Sequence, residues 1–207
     1  MTRADDGRLR VGVLVSGRGS NLQALLDAAA RPGYPARVVV VVSDREQAPA
    51  LERARGGGAA AVWLNPKDFG DRAAYDLALG QVLAEHRVAL VCLAGFMRIL
   101  TAGFVRAFSG RILNIHPSLL PAFPGLHAQR QALDHGVKVT GATVHFVEEG
   151  VDTGPIVSQA SVPVQSDDTE ESLSARILAV EHRIYPEAVR LFAEGRLTLA
   201  GRKVIVR

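Results

Sequence analysis

Cysteine, aromatic residues and long apolar runs are all scarce in this chain of 207 residues. Its single cysteine, Cys92, excludes an internal disulfide and favours a reducing compartment. The longest apolar run, Val88 to Met97, is too short to cross a bilayer, and Met1 to Arg10 lacks the apolar core of a signal peptide. We therefore expect a cytoplasmic protein with no membrane attachment and a frayed N-terminus.

Excess charge and several catalytic signatures are absent as well. The net charge of +3 is too small by itself to indicate a nucleic-acid partner. The chain has no Gly-Lys-Ser/Thr phosphate loop, no Gly-x-Ser-x-Gly nucleophile elbow and no His-Glu-x-x-His zinc motif. Its six histidines are scattered along the chain, so we expect no metal site.

Strand and helix patterns alternate through the first half of the chain. Apolar runs predict strands at Leu9–Val15 and Ala36–Ser43, and five consecutive valines in the second run predict burial on both faces. Asp71 is placed to cap a long amphipathic helix that extends to His86. This alternation predicts an α/β fold with a mostly parallel twisted sheet and helices on both faces. The other predicted elements are helices at Asn21–Ala30 and Ala48–Arg55, and strands at Ala59–Leu64 and Val88–Leu93.

The second half predicts a different pattern within the same single domain, 1–207. Asp168 is expected to open a long helix, with Glu171 three residues later as its capping-box partner and Gly195 just after its end. The other predicted elements are a strand at Arg111–Ile115, a loop at Pro117–Gly125, a helix at Ala128–His135, a hairpin of Thr140–Val147 with Ile156–Val164, and a terminal hairpin within Leu197–Val206.

Gly17-Arg18-Gly19-Ser20-Asn21 connects the first predicted strand to the first helix. Glycines let the backbone approach an anion, and the amides at a helix N-terminus point towards it. Leu22 stands where a dinucleotide fingerprint has its third glycine, so a single terminal phosphate fits better than a pyrophosphate. The same residues also suit an ordinary strand-to-helix turn in which Ser20 or Asn21 caps the helix. Both interpretations stay open at this point.

Asn114 and His116 stand two residues apart at the end of a predicted strand. Their side chains should therefore project to the same side, and Pro117 then ends the strand pairing. With Asp152 from a glycine-rich turn, they could stabilise an oxyanion and move a proton, because a nearby carboxylate favours the charged imidazole. The set indicates acyl transfer, with a strand-end cap at Asn114 and an Asx turn at Asp152 as the alternative. His145, on a neighbouring strand, is a further candidate.

Seven segments carry a resemblance that extends over nearly the whole chain: Ser16–Gln23, Leu93–Leu100, Leu113–Pro121, Pro124–His127, Val144–Phe146, Asp152–Pro155 and Glu181–Pro186. In this order they resemble the phosphoribosylglycinamide formyltransferase family, the folate-dependent transformylases of purine synthesis. The resemblance implies a Rossmann-like mononucleotide-binding half at about 9–110 and a catalytic, folate-binding half at about 111–207. It implies that 10-formyltetrahydrofolate, as co-substrate, donates its formyl group to the amine of glycinamide ribonucleotide.

The same resemblance implies roles for individual residues. Asn114 and His116 would handle the tetrahedral intermediate, with His116 as the proton donor and Asp152 keeping it cationic. The implied contacts to the ribonucleotide are Gly19, Ser20, Asn21 and Glu181. The implied contacts to the folate are Arg72, Met97, Arg98, Ile99, Leu100 and Asn114. No nucleic-acid or membrane partner is implied, and a monomer or homodimer is expected.

Two departures from the family and three rival functions complete the interpretation. The N-terminal extension through Arg8 and the Ala200–Lys203 tail differ from the family, and neither is expected to touch a catalytic position. A methionyl-tRNA formyltransferase should carry an added tRNA-binding domain, and a formyltetrahydrofolate hydrolase an N-terminal regulatory domain. A non-catalytic nucleotide-binding module would need the glycine loop but not Asn114, His116 and Asp152 together.

Overall fold

The computed structural model describes residues 6–207. Residues 1–5, on which most of the expected frayed start falls, lie outside the described residues. The chain divides into two compact units, Met1–Leu113 and Asn114–Arg207. Within residues 6–207, none of the helices is both long enough and apolar enough to cross a membrane.

The first unit is a parallel sheet connected by helices. Its four strands β1 to β4 lie in the order β3-β2-β1-β4, and the pairs β1–β2, β1–β4 and β2–β3 are all parallel. A fifth strand, β5 (Ile112–His116), crosses the division between the units. The elements are β1 Leu9–Val15, α1 Ser20–Ala29, β2 Ala36–Ser43, α2 Pro49–Gly56, β3 Ala60–Trp63, α3 Arg72–Glu85, β4 Leu90–Leu93 and α4 Ala102–Ala107, with a 3₁₀ turn at Pro66–Asp68.

Local sequence explains how α3 forms and packs. The Asp71 side chain accepts a hydrogen bond from the Ala74 amide at 2.8 Å, which confirms the predicted cap. A Cβ added at Gly12 of β1 would lie 2.7 Å from the Leu83 side chain, so a glycine lets α3 pack directly against β1. The short helix α4 was not predicted from the sequence, although Thr101 caps it by accepting from the Phe104 amide at 3.3 Å.

The second unit is built on a hairpin and one long helix. Strands β6 and β7 pair antiparallel, as predicted, and β7 continues into a parallel pairing with β9 through Ile156 and Lys203. The terminal hairpin β8–β9 is also confirmed. The elements are α5 Ala128–Asp134, β6 Val139–Phe146, β7 Ile156–Pro163, α6 Glu170–Ala193, β8 Leu197–Ala200 and β9 Lys203–Val206.

The start of α6 corrects one prediction. Thr169, not Asp168, is the N-cap, and its capping-box partner is Ser172 rather than Glu171. The Ser172 hydroxyl lies 3.0 Å from the Thr169 amide and also donates to Asp168 at 2.7 Å. Asp168 in addition pairs with Arg176, and the Arg176 and Ser172 hydrogen bonds lower the pKa of Asp168 below its ordinary range. The helix ends as predicted, with Gly195 at a φ of +72° just beyond it.

These elements confirm the predicted fold class. The chain is an α/β protein with a mostly parallel sheet and connecting helices, and its antiparallel pairings are confined to β6–β7 and β8–β9 among the strand pairs described above. Consecutive valines fill β2, where Val40, Val41 and Val42 are fully buried. This burial agrees with the expectation of a strand covered on both faces.

Candidate active site

The end of β5 and the loop before β7 form one cluster in the second unit. The Asp152 carboxylate lies between the two predicted partners, with Oδ2 3.3 Å from His116 Nδ1 and Oδ1 3.4 Å from Asn114 Nδ2. Asp152 also accepts a hydrogen bond from the Gly125 amide at 2.7 Å. The structure therefore brings Asn114, His116 and Asp152 together, although 38 positions separate Asn114 from Asp152 in the sequence.

His145 of β6 completes this cluster and is more central than the sequence indicated. Its Nε2 lies 3.1 Å from Asn114 Nδ2 and 3.6 Å from Asp152 Oδ1, and its Nδ1 lies 2.8 Å from the Phe146 carbonyl. A carbonyl only accepts, so we assign the ring proton to Nδ1, which leaves Nε2 to accept from the Asn114 amide. In the sequence, His145 was a candidate only because it alternates with Thr143 on a predicted strand. That alternation did not predict its contacts with Asn114 and Asp152.

The loop after β5 is fixed by polar contacts of its own. His116 Nε2 donates to the Phe123 carbonyl at 2.8 Å. On the other side of the loop, the backbone amide of Leu120 donates to the Thr143 hydroxyl at 3.1 Å. The side-chain amide of Gln159 donates to the backbone carbonyl of Leu120 at 2.9 Å. Side chains of β6 and β7 thus hold the loop that contacts His116. The sequence did not predict these roles for Thr143 and Gln159.

Burial and the groups around His116 act on its pKa in opposite directions. The side chain of His116 is 5% exposed, and this burial lowers its pKa below the ordinary 6.5. The Phe123 carbonyl and the Asp152 carboxylate act in the opposite direction but do not outweigh burial. Asp152 raises the pKa of His116, which is the direction expected, and its role in keeping the ring cationic stays a prediction.

Asp152 itself is held in the charged form. Burial raises the pKa of Asp152, but the adjacent His145 ring, the hydrogen bond from the Gly125 amide and the nearby His116 together lower it below the ordinary 3.8. An ionised carboxylate that is 11% exposed and lies 3.3 Å from the His116 ring stabilises the protonated form of that ring. The cluster is consequently suited to proton transfer near neutral pH.

The glycine loop Gly17–Asn21 lies in the first unit, between β1 and α1. Gly19 is the N-cap of α1, with a φ of 74° and no side-chain cap, so neither Ser20 nor Asn21 caps the helix. A Cβ at Gly19 would lie 2.7 Å from the Ala50 Cβ and 2.9 Å from the Ala50 Cα. Only glycine suits this position, because the backbone is left-handed and α2 packs directly against it.

Ser16 connects the glycine loop to the segment Met97–Leu100 within the same unit. The Ser16 amide donates to the Gly95 carbonyl at 3.0 Å, and the Met97 amide donates to the Ser16 hydroxyl at 2.9 Å. Met97 and Ile99 are 58% and 61% exposed, which leaves two apolar side chains open to a ligand. Sequence reasoning did not single out Ser16 in this role.

The remaining predicted contacts occupy varied environments. Arg72 is the exposed first residue of α3, and Arg98 stacks its guanidinium 4.8 Å from the centre of the Tyr75 ring. Glu181 lies in α6 of the second unit and is 6% exposed. Their ligand contacts stay predictions. Among residues 6–207, no group of three or more His, Cys, Asp or Glu side chains is arranged to hold a metal ion.

Comparison with known proteins identifies the family. The formyl transferase family matches residues 9–189. The phosphoribosylglycinamide formyltransferase of Escherichia coli is 46% identical over 191 residues, covering 92% of this chain and 90% of that protein. The trifunctional purine biosynthetic protein adenosine-3 of Drosophila melanogaster is 52% identical over 190 residues, or 91% of this chain, which spans only 14% of that protein's length.

A solved structure extends the similarity to three dimensions. The glycinamide ribonucleotide transformylase 1 of Symbiobacterium toebii matches with a TM-score of 0.95 and 59% identity, covering 97% of this chain and 94% of that one. The resemblance drawn from the sequence motifs is confirmed at the level of the family and the fold. The chain belongs to the formyl transferase family.

Proposed function

We propose that this chain is a phosphoribosylglycinamide formyltransferase, which moves the formyl group of 10-formyltetrahydrofolate to the amine of glycinamide ribonucleotide. The products are formylglycinamide ribonucleotide and tetrahydrofolate, and the step belongs to purine synthesis. The observation that carries the proposal is the Asp152 carboxylate placed between the His116 ring and the Asn114 amide, in a member of the formyl transferase family. Full-length relatives of this name support the choice of acceptor.

The cluster suggests direct transfer without a covalent enzyme intermediate. The substrate amine attacks the formyl carbon, and the carbonyl oxygen becomes an oxyanion that accepts a hydrogen bond from the Asn114 amide. Asn114 can turn one N–H from Asp152 to the oxyanion at little cost, because that contact is already long at 3.4 Å. The new bond from carbon to the amine nitrogen forms first, and the carbonyl is restored when the tetrahedral intermediate collapses and the bond from carbon to the folate nitrogen breaks.

The proton lost by the attacking amine must reach the departing folate nitrogen. We assign this transfer to His116, which would carry the proton beside the ionised Asp152 that stabilises its cationic form. A positioned imidazole commonly contributes about 10²–10⁴-fold to the rate. His145 would orient Asn114 through its Nε2, which lies 3.1 Å from the amide nitrogen.

The binding contacts are proposed segment by segment. We propose that Gly19, Ser20 and Asn21 hold the ribonucleotide phosphate with the uncapped amides of α1, and that Glu181 contacts the rest of the ribonucleotide. The exposed Met97 and Ile99 would receive the pterin, with Arg98 and Leu100 beside them in sequence. Arg72 would pair with the folate carboxylates. We also propose that the protein is a monomer or a homodimer. A cytoplasmic location would suit its single, buried and free cysteine, Cys92.

The test is an absorbance assay of purified protein with 10-formyltetrahydrofolate, run with and without glycinamide ribonucleotide. We expect deformylation only when the ribonucleotide is present. Deformylation without it would identify a hydrolase instead, and no reaction in either case would leave only a binding module. His116→Ala should lower turnover by about 10²–10⁴-fold. His86→Ala, whose ring bonds only the Val82 carbonyl of its own helix among the contacts described, should be close to wild type.

A further inference from the structure

The terminal hairpin lies against the loop that carries Asp152. Strand β9 begins at Lys203, which pairs with Ile156, the first residue of β7. The connection that precedes Ile156, residues 147–155, holds Asp152 and is called the Asp152 loop below. The pairing of β7 with β9 therefore places the turn of the hairpin, residues 201–202, next to the end of this loop.

One side chain of that turn contacts the loop next to Asp152. The Arg202 guanidinium donates through Nη2 to the Thr153 carbonyl at 3.0 Å. Thr153 is not one of the proposed catalytic positions, so the contact leaves the expectation for the Ala200–Lys203 tail as it stood. The sequence could not show it, since the contact depends on the β7–β9 pairing.

The loop needs external support at this point. Asp152 has a φ of 53°, a left-handed conformation that non-glycine residues rarely adopt and that costs free energy. On one side the Gly125 amide holds the Asp152 carboxylate at 2.7 Å, and behind it the Phe146 amide donates to the Pro155 carbonyl at 2.9 Å. Thr153 is exposed, and Arg202 is the side chain that engages its carbonyl.

We propose that Arg202 is a positioning residue that holds the Asp152 loop in its catalytic conformation. The proposal rests on the proposed function, in which Asp152 supports the proton transfer by His116. Arg202 acts through the backbone of Thr153, so its contribution is a hydrogen-bond donor on a side chain long enough to reach the Thr153 carbonyl. Without this donor, a smaller fraction of the molecules would hold Asp152 beside His116, and kcat would fall by that fraction.

Arg202→Ala is the informative variant, because Arg202 is exposed and its loss removes one hydrogen bond. A single hydrogen bond of this kind corresponds to about a 3- to 10-fold change in an equilibrium. We expect kcat to fall about 3- to 10-fold, with the KM for the ribonucleotide unchanged. Arg202→Lys, which keeps a long donor, should recover most of the lost rate. Lys203→Ala removes a neighbouring charge and should stay within about twofold of wild type.

Hydrogen exchange followed by mass spectrometry tests whether Arg202 holds the Asp152 loop, separately from the activity. The peptide containing residues 147–155 should exchange faster in Arg202→Ala than in wild type, and at the wild-type rate in Lys203→Ala. An unchanged exchange rate, or an equal loss of kcat in Lys203→Ala, would overturn the proposal. If the wild-type protein transfers no formyl group, the proposed function fails, and the exchange measurement still decides whether Arg202 holds the loop.

Discussion

At the scale of single residues, the site is governed by competition between burial and charge around His116. Removing an imidazole from water favours its neutral form, whereas a carboxylate at 3.3 Å favours the cation. Burial lowers the pKa of His116, and the ionised Asp152 raises it. The carboxylate therefore stabilises the ring whenever it holds the proton that is in transit.

Asp152→Asn provides a direct test of that balance. In wild type we expect the pKa of His116 to lie below 6.5, because burial dominates. Replacing the carboxylate by a neutral amide removes an interaction that raises this pKa, so we expect a further decrease. The measurement is an NMR titration of the His116 ring in both proteins.

Glu148→Gln is the matched control for this titration. Glu148 is an exposed acid four positions before Asp152, and its loss should leave the His116 midpoint where it is in wild type. If Asp152→Asn and wild type titrate together, Asp152 does not stabilise the cation, and the assigned proton transfer loses its support.

At the scale of elements, the sequence predicted what depends on local pattern. The bounds of β1 and β2 agree with the predicted Leu9–Val15 and Ala36–Ser43, because long apolar runs define them. Helix α4 was missed since its six residues are too few to show a periodicity. The cap of α6 was misplaced by one residue, because Asp168 and Thr169 are both good caps and the Arg176 ion pair engages Asp168.

In the candidate site as well, the sequence predicted features set by neighbouring residues and did not predict contacts between distant ones. Strand alternation correctly predicted that Asn114 and His116 point the same way, and both contact Asp152. The contributions of His145, Thr143 and Gln159 depend on how β6 and β7 pair and on which loop they hold. No local pattern encodes those contacts, so they became visible only in the folded chain.

Helix α2 braces the glycine loop, which yields a prediction at the scale of elements. Arg53 donates through Nε to the Arg18 carbonyl at 2.9 Å and through Nη1 to the Gln23 side chain at 3.0 Å. We expect Arg53→Ala to raise the KM for glycinamide ribonucleotide about 3- to 10-fold, because two hydrogen bonds that order the loop are lost. The KM for 10-formyltetrahydrofolate should not change.

Arg55→Ala is the control in the same helix. Arg55 pairs with Glu52, also on α2, so its removal should leave both KM values unaltered. Steady-state kinetics with each substrate varied in turn separates the outcomes. An equal rise in both KM values for Arg53→Ala would contradict a role confined to the glycine loop.

At the scale of the whole molecule, several ionisable groups make stability depend on pH in the same direction. The pKa of Asp168, Asp152 and Glu187 is lowered in the fold, so each stabilises it above the ordinary pKa of the carboxyl group and loses that contribution as the pH falls. Burial lowers the pKa of His116 in the fold, so the unfolded chain takes up a proton at this residue first as the pH falls through 6.5. The free energy of unfolding should therefore decrease on acidification.

Asp168→Asn tests the largest local source of this effect. Asp168 is 2% exposed and receives hydrogen bonds from Arg176, Ser172 and the Gln165 amide, all of which favour its charged form. We expect the variant to be less stable than wild type near pH 6, with the difference narrowing as the pH falls below about 4, where the carboxyl group in the unfolded chain becomes protonated. Urea unfolding at pH 6, 5, 4 and 3 measures this, with Asp167→Asn as the neighbouring control. A difference that stays constant over this range would mean that Asp168 stabilises α6 by packing and not by its charge.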